Sequence, residues 1–220
     1  MTALIVLAKS PVAGRVKTRL CPPCTQDQAA AIAEAALADT LATVAATPAG
    51  ARVLALDGPP GPWIPDGFVI VPQLGTGLDQ RLANAFAAAS GPAVLVGMDT
   101  PQITPIGLSG VITALHAPAT DAVLGPAADG GWWTIGLHRA DPRVFVGVPM
   151  STDYTGAAQR ERLRTLGLRT ALVAELRDVD TFADAEIVAR TIPNSRFAAA
   201  VGATARAVRP ASVDASIAGA

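Results

Sequence analysis

The sequence predicts an α/β fold, built as one Rossmann-like three-layer domain around a mainly parallel sheet. Short, continuous apolar runs alternate with Ala-rich segments of helical spacing, which is the pattern of strands that helices bury on both faces. Half of the 220 residues are hydrophobic but only 4% are aromatic, so small aliphatic side chains must fill the interior. A chain of this length fits a single large domain.

The elements follow one another in an alternating order. Because strands and helices alternate, we expect right-handed crossovers and ligand binding at the carboxyl ends of the strands. Six apolar runs are predicted strands, at residues 3–8, 52–56, 68–71, 93–96, 122–124 and 170–173. Four segments are predicted helices, at residues 26–46, 78–89, 105–115 and 156–166. We divide the chain into a domain at residues 1–197 and an Ala-rich C-terminal helix or tail at residues 198–220.

Charge and hydropathy argue against some classes of binding partner. The formal net charge is −1 and the isoelectric point is near 6.1, so the chain has no general attraction for nucleic acid. The apolar run at the N-terminus is too short for a membrane span and lacks the basic region of a signal peptide. The sequence therefore predicts a cytoplasmic protein with a small-molecule substrate, no nucleic-acid partner and no membrane span.

A basic loop follows the first predicted strand. Lys9, Arg15, Lys17 and Arg19 fall within eleven residues, and such cations bind phosphate oxygens. Gly14 can adopt backbone angles that are closed to other residues. The spacings of a P-loop and of a dinucleotide-binding glycine motif are both missing, so neither an ordinary P-loop ATPase nor a Rossmann dehydrogenase is supported. The loop is thus a candidate anion site, and the alternative is a solvated basic loop.

Two aspartates are candidate metal ligands. Asp99 comes directly after the fourth predicted strand, and Mg²⁺ needs only one or two protein carboxylates beside water and substrate phosphate oxygens. Asp180 follows the last predicted strand and could be a second ligand. The alternative for each is a structural one, since Asp99 could cap the helix after Pro101 and Asp180 the helix that begins near Phe182.

An acidic, flexible turn follows the fifth predicted strand. Gly130 and Gly131 would let a ligand approach the backbone closely. Asp129 could bind a ligand hydroxyl, and Trp132 or Trp133 could stack on a sugar or base. The alternative is a plain Asp-Gly hairpin.

The cysteines and histidines are predicted to be structural. Cys21 and Cys24 have the C-x-x-C spacing of redox pairs, but a role in loop packing fits the rest of the chain better. His116 and His138 have no partner at metal-ligand spacing.

Four motifs taken together resemble those of the bacterial glycosyltransferase-A-like proteins, which belong to the nucleotide-diphospho-sugar transferase superfamily. These proteins are distantly similar to the molybdenum-cofactor and phospholactate guanylyltransferases. The motifs are A-K-x-P-x-x-G-x-x-K-T-R-L at residues 8–20, G-x-D-x-P at 97–101, G-P-x-x-D-G-G at 125–131 and D-V-D-T at 178–181.

The resemblance implies roles for individual residues. Arg81 is similar to the arginine of the family's L-G-x-R segment. Family members usually carry an aromatic residue where Met150 stands, and tyrosines where Trp132 and Trp133 stand. The implied nucleotide-binding residues are Lys9, Gly14, Lys17, Arg19 and Arg81. The implied ligand of Mg²⁺ or Mn²⁺ is Asp99, with Asp180 as the second candidate. The residues implied to face the sugar or acceptor are Asp129, Gly130, Gly131 and Trp132.

The resemblance implies a metal-dependent transferase with a nucleotide donor and a small-molecule acceptor. Glycosyl transfer from a nucleotide sugar is the first reading, with Lys17 and Asp129 as catalytic residues. Sugar transferases of this type usually carry D-x-D where this chain has Asp99-Thr100-Pro101. That difference favours the alternative, in which a phosphorylated acceptor attacks a nucleoside triphosphate in a guanylyltransferase-like reaction. A nucleotide-binding module without catalysis is the further alternative.

Overall fold

The computed structural model describes residues 1–208 and contains one seven-stranded sheet with six α-helices. The strands are β1 (Ala3–Lys9), β2 (Ala51–Asp57), β3 (Val69–Pro72), β4 (Ala93–Gly97), β5 (Ala122–Pro126), β6 (Trp132–Leu137) and β7 (Thr170–Leu172). The helices are α1 (Gln26–Ala46), α2 (Leu78–Ala87), α3 (Pro105–Leu115), α4 (Thr155–Thr165), α5 (Phe182–Thr191) and α6 (Arg196–Val208). All six predicted strands and all four predicted helices are present.

The sheet is parallel except for one strand. Its order is β3-β2-β1-β4-β6-β5-β7, and only β6 runs antiparallel to its two neighbours. The prediction of a mainly parallel sheet is therefore confirmed. β6 is the apolar run that follows the acidic turn, and it pairs back onto β5 as a hairpin.

Helices cover both faces of the sheet, so the predicted three layers are present. Alternate residues of β1 point to opposite faces. Leu4 and Val6 lie in a core cluster with residues of α1 and α3, whereas Ala3 and Ile5 lie in a second cluster with residues of α2 and α4.

The helix α1 is apolar because it is buried on two sides. It begins with a capping box between Thr25 and Gln28, which satisfies two of the free backbone donors at its start. Leu37 and Leu41 pack on the sheet, and Ile32 packs in a third cluster with α5 and α6. In the described part of the chain it is the one helix that is long and apolar enough to cross a membrane by length and composition. Its position between two packed layers accounts for that composition.

The C-terminal helix joins this third cluster. α6 begins at Arg196 and buries Phe197 and Val201 against α1 and α5. The N-terminal part of the predicted Ala-rich segment is thus a docked helix, and residues 209–220 lie outside the described residues.

Candidate functional site

The site lies at the carboxyl edge of the sheet. β1 and β4 are adjacent and parallel, so the loop after each opens at the same edge. The loops after Lys9 and after Gly97 meet there, and the segment before α5 joins them through a hydrogen bond from the Val179 N–H to the Asp99 carbonyl at 2.9 Å. Three loops that are far apart in sequence therefore form one wall.

Lys17 is the centre of the basic loop. Its backbone is left-handed, with φ 49°, and its ammonium forms an ion pair with Asp99 and donates to the Val179 carbonyl. The Lys17 side chain is only 8% exposed. A solvated basic loop is therefore wrong for this residue, while Arg15 and Arg19 are exposed.

Gly14 lies in a turn of the basic loop whose backbone favours glycine. Its φ is +75°, and a Cβ there would lie 2.9 Å from the Gln26 side-chain oxygen. Both features favour glycine. Gly14 is not among the residues that line the cleft described below, so its observed role is in the turn before Lys17, and its place beside the nucleotide phosphates stays a prediction.

Neither predicted metal ligand caps a helix. α3 starts after Thr104, whose hydroxyl accepts from the Gly107 N–H, so the capping alternative for Asp99 is wrong. α5 is capped by Thr181 together with Asp184, so the same alternative is wrong for Asp180. Asp180 instead pairs with Arg19, with a nitrogen–oxygen distance of 2.9 Å.

Asp178 is a functional candidate that the sequence reasoning missed. One of its carboxylate oxygens is buried and has no hydrogen-bond partner in residues 1–208. Burial is the largest cause that raises the pKa of this carboxyl, the nearby carboxylates of Asp99 and Asp129 add to it, Lys17 opposes them, and the resulting pKa is about 8. The signal was the alternation D-V-D. Val179 is fully buried, and residues two apart in an extended segment share a face, so Asp178 and Asp180 both turn toward the cleft.

The acidic turn is a hairpin and also part of the site. The Asp129 carboxylate accepts from the Gly131 N–H at 2.8 Å, as a turn residue does, yet Asp129 and Gly131 both line the cleft. The hairpin alternative and the site prediction thus describe the same segment.

Gly130 makes room for the chain itself. A Cβ at Gly130 would lie 1.8 Å from the Asp153 carbonyl oxygen, and the Gly130 carbonyl accepts from the Gly156 N–H at 2.8 Å. The prediction that Gly130 faces a ligand is corrected, because the close approach is made by the segment before α4.

The two tryptophans divide between core and cleft. Trp133 is buried, and its indole N–H donates to the Ala174 carbonyl at 2.9 Å. Trp132 lines the cleft and packs against the core. Trp132 is therefore the one of the pair that a ligand can contact.

Arg81 and Gln73 also line the cleft. Arg81 pairs with Asp57 at 3.0 Å and donates to the Gly75 carbonyl at 3.2 Å. The Gln73 amide donates to the carbonyls of Ala8 and Ala55 at 2.8 and 3.1 Å, which ties together the ends of β1 and β2. Gln73 was not singled out from the sequence, because its partners are backbone atoms of other strands.

Residues of the loops described above line one open cleft of about 870 Å³. Its ionisable lining residues are Lys9, Arg15, Lys17, Arg19, Arg81, Asp99, Asp129, Asp153, Asp178 and Asp180. A smaller hollow of about 460 Å³ lies between α4 and β7 and contains none of the predicted site residues. The larger cleft is therefore the candidate site.

The carboxylates fit a hard divalent cation but do not form a preformed cage. Within residues 1–208 no group of three or more His, Cys, Asp or Glu side chains is arranged to hold a metal ion. The unpartnered buried oxygen of Asp178 and the excess of carboxylates around it are nevertheless the surroundings that a cation would stabilise. Oxygen ligands of this kind suit Mg²⁺ or Mn²⁺.

The cysteines and histidines lie outside the cleft. Cys24 is buried in the third core cluster, Cys21 packs against it, and both are free thiols. Burial raises the pKa of the Cys24 thiol, and Cys21 adds to that effect, which makes it a poorer nucleophile. His116 accepts or donates a hydrogen bond with the Thr2 hydroxyl at 2.7 Å, and His138 bonds the Leu115 carbonyl at 2.8 Å.

The chain was compared with known families and solved structures. A family model described as "Uncharacterized protein conserved in bacteria (DUF2064)" matches residues 29–152. No curated protein sequence matches the chain. A candidate nucleotide-diphospho-sugar transferase from Desulfovibrio desulfuricans G20 superposes with a TM-score of 0.83 at 25% identity, over 95% of this chain and 98% of that one.

Two more distant structures share the fold alone. CMP:2-keto-3-deoxy-manno-octonic acid synthetase, in complex with CTP, superposes with a TM-score of 0.55 at 12% identity over 88% of this chain and 99% of that one. Glucosyl-3-phosphoglycerate synthase from Mycobacterium tuberculosis, in complex with Mn²⁺, UDP and glucosyl-3-phosphoglycerate, superposes with a TM-score of 0.52 at 11% identity over 81% and 71%. The predicted nucleotide-diphospho-sugar transferase fold is confirmed.

Proposed function

The chain belongs to the bacterial family described as uncharacterized proteins (DUF2064), whose model covers more than half of it, and we propose that it is a metal-dependent transferase. Its fold is that of nucleotide-using transferases. In the proposed reaction it moves a glycosyl group from a nucleotide sugar to a small acceptor. The observation that carries it is the meeting of a row of cations and a group of carboxylates in one cleft at the carboxyl edge of the sheet.

The cations form the proposed donor site. Lys9, Lys17, Arg19 and Arg81 line the cleft, and ammonium and guanidinium groups together bind phosphate oxygens strongly. Lys17 is the proposed catalytic cation, because a buried ammonium can stabilise the negative charge that develops on a departing nucleoside diphosphate.

The carboxylates form the proposed metal site. Asp99 and Asp180 would hold Mg²⁺ or Mn²⁺, and Asp178 joins them as a third candidate ligand. When bound, the metal would act as a Lewis acid on the diphosphate. Fixed charge of this kind lowers a barrier most when it is already in place before the reaction.

The acidic turn forms the proposed acceptor side. Asp129 is exposed in the cleft, with Gly131 and Trp132 beside it. A carboxylate there can accept a hydrogen bond from an acceptor hydroxyl and draw away its proton as it attacks the anomeric carbon. Asp129 is accordingly the proposed general base.

One observation favours a second candidate, nucleotidyl transfer. The chain has Thr100-Pro101 after Asp99 in place of the D-x-D of many sugar transferases. In this reaction Lys17 and Arg19 would stabilise departing pyrophosphate. The fold shared with a CTP-bound synthetase is compatible with this chemistry.

The two cysteines bear on the cellular compartment of the protein. Cys21 and Cys24 are both free thiols, which agrees with a reducing environment. We place the protein in the cytoplasm.

A thermal-shift panel tests the proposal. Nucleoside triphosphates and nucleotide sugars are each added with Mg²⁺, with Mn²⁺ or with EDTA, and stabilisation reports binding to the folded state. Metal-dependent stabilisation by one nucleotide sugar supports glycosyl transfer, and radiolabel transfer to an acceptor then follows. Stabilisation by one triphosphate alone favours nucleotidyl transfer. Metal-independent binding without turnover of either donor supports a nucleotide-binding module, and no binding at all refutes the proposal.

A further inference from the structure

The charges that line the cleft are divided by sign along the chain. All five cations come from the first part, at Lys9, Arg15, Lys17, Arg19 and Arg81. All five carboxylates come from later loops, at Asp99, Asp129, Asp153, Asp178 and Asp180. From Gly97 onward, the lining residues in the described part of the chain include neither lysine nor arginine.

Three of the five cations are already paired with carboxylates. Lys17 pairs with Asp99, Arg19 with Asp180, and Arg81 with Asp57. A donor diphosphate would take over these cations, since phosphate oxygens are strong acceptors for both groups. A metal ion would use Asp99 and its neighbours, which leaves Asp129 and Asp153 without a compensating charge.

The later loops offer an apolar surface with oxygen-bearing side chains around it. Trp132 and Met150 both pack against the core and both line the cleft. The hydroxyls of Ser151, Thr152 and Thr155 lie in the same lining. An aromatic face with carboxylates and hydroxyls around it suits a ring or chain that has apolar C–H groups and several hydroxyls.

A fixed backbone holds two of these loops together. The Gly156 N–H donates to the Gly130 carbonyl at 2.8 Å, and a Cβ at Gly130 or Gly156 would overlap the facing backbone. The hairpin turn that carries Asp129 and the loop that carries Asp153 are thus locked together. The two carboxylates keep their positions around a bound acceptor.

We infer that the acceptor is an uncharged polyhydroxy compound, and that Asp129 and Asp153 reject acceptors bearing a phosphate. This inference rests on the proposed function, because it assigns the cations to the donor. Like charges facing one another across a binding site disfavour the wrong partner. Hydroxyl donors, in contrast, would satisfy the carboxylates.

The experiment is ligand-observed saturation-transfer NMR on the full chain. Mg²⁺ and inorganic pyrophosphate are present throughout, so that the cations are occupied and a phosphorylated probe cannot bind there instead. The probes are matched pairs, glycerol with glycerol 3-phosphate and methyl glucoside with glucose 6-phosphate. We expect the uncharged member of each pair to bind about tenfold more tightly than the phosphorylated one.

A charge reversal provides the matched control. Asp153 is exposed and lines the cleft, whereas Asp66 is exposed and does not line it. Asp153→Arg should raise the affinity for the phosphorylated probes about tenfold, and Asp66→Arg should change neither affinity.

Two results would overturn the inference. One is equal or tighter binding of the phosphorylated probes to the unmodified protein, and the other is no binding of any uncharged probe. Failure of the proposed function has a different signature, since pyrophosphate with Mg²⁺ would then not stabilise the protein in a thermal melt.

Discussion

The ammonium of Lys17 lies against the carboxylate of Asp99 and also donates to the carbonyl of Val179. The lysine is 8% exposed and the aspartate 42%. The positive charge thus stands beside the carboxylate that would hold a divalent cation. A metal ion bound by Asp99 would compete with the lysine in the free protein, and a bound phosphate would draw the lysine away.

Lys17→Ala should therefore have opposite effects on metal binding and on nucleotide binding. Without the ammonium, Mn²⁺ alone should bind more tightly, by about tenfold for the loss of one close like charge. Nucleoside di- and triphosphates should bind more weakly while nucleosides are little affected, because the proposed partner of Lys17 is a phosphate. Isothermal titration of Mn²⁺ and of each nucleotide measures both, with Arg139→Ala, an exposed cation outside the cleft, as the control. Equal losses for nucleotides and nucleosides would refute the phosphate role.

Asp99→Asn should remove the metal-dependent part of nucleotide binding and leave the fold intact. The amide keeps the size of the side chain but loses the charge that Mg²⁺ requires. Nucleotide affinity is measured with Mg²⁺ and with EDTA, and circular dichroism checks the fold. In the variant the two affinities should converge, whereas Asp66→Asn should keep the difference seen in the unmodified protein. A persisting Mg²⁺ effect in Asp99→Asn would place the metal elsewhere.

Much of the fold could be predicted because strands buried on both faces are continuous apolar runs. The boundaries of α1 and α3 match the predicted ones because Thr25 and Thr104 are capping residues with side-chain hydrogen bonds. The apolar run of β6 carries no information on strand direction. The Asp-Gly turn before it did, because the hairpin given as the alternative for this segment reverses the chain, and β6 is antiparallel to β5.

The site was predictable where a residue's chemistry is visible in one short segment, as for Lys17 and Asp99. It was not predictable where the role depends on a distant partner. Gly130 approaches the Asp153 backbone rather than a ligand, and Asp178 is distinguished from Asp180 only by its burial among other carboxylates. Both facts depend on the packing of loops that are separated in sequence.

Asp178→Asn should stabilise the metal-free protein at neutral pH. The pKa of Asp178 is raised to about 8 from the ordinary aspartate value of 3.8, so between these values the folded state keeps a proton that the unfolded state has lost. Stability therefore falls as the pH rises through this window. The asparagine cannot ionise, so its stability should depend less on pH.

Thermal unfolding in EDTA from pH 5 to pH 8 measures this effect. The melting temperatures of the two proteins should diverge as the pH rises, with Asp178→Asn the higher at pH 8. Asp66→Asn, at an exposed position for comparison, should follow the unmodified protein. Parallel curves for all three proteins would show that Asp178 ionises normally in the folded state.

Gly130→Ala should destabilise the protein more than Gly67→Ala. Both glycines have a left-handed backbone, with φ +89° and +88°, so both substitutions carry the same strain of about 1 kcal/mol. Only at Gly130 does the new Cβ meet backbone, at 1.8 Å from the Asp153 carbonyl oxygen, while Gly67 has nothing within 4 Å. The overlap should add roughly 1–3 kcal/mol.

Urea denaturation gives the free energy of unfolding of each variant. The difference between the two alanine variants isolates the contact between the hairpin turn and the loop before α4, because the backbone strain cancels. In Gly130→Ala this contact must open, so Asp129 and Asp153 should separate and binding of the uncharged acceptor probes should weaken. Equal stability of the two variants would mean that the loops are not locked together, and the rigid acceptor end inferred from their contact would be wrong.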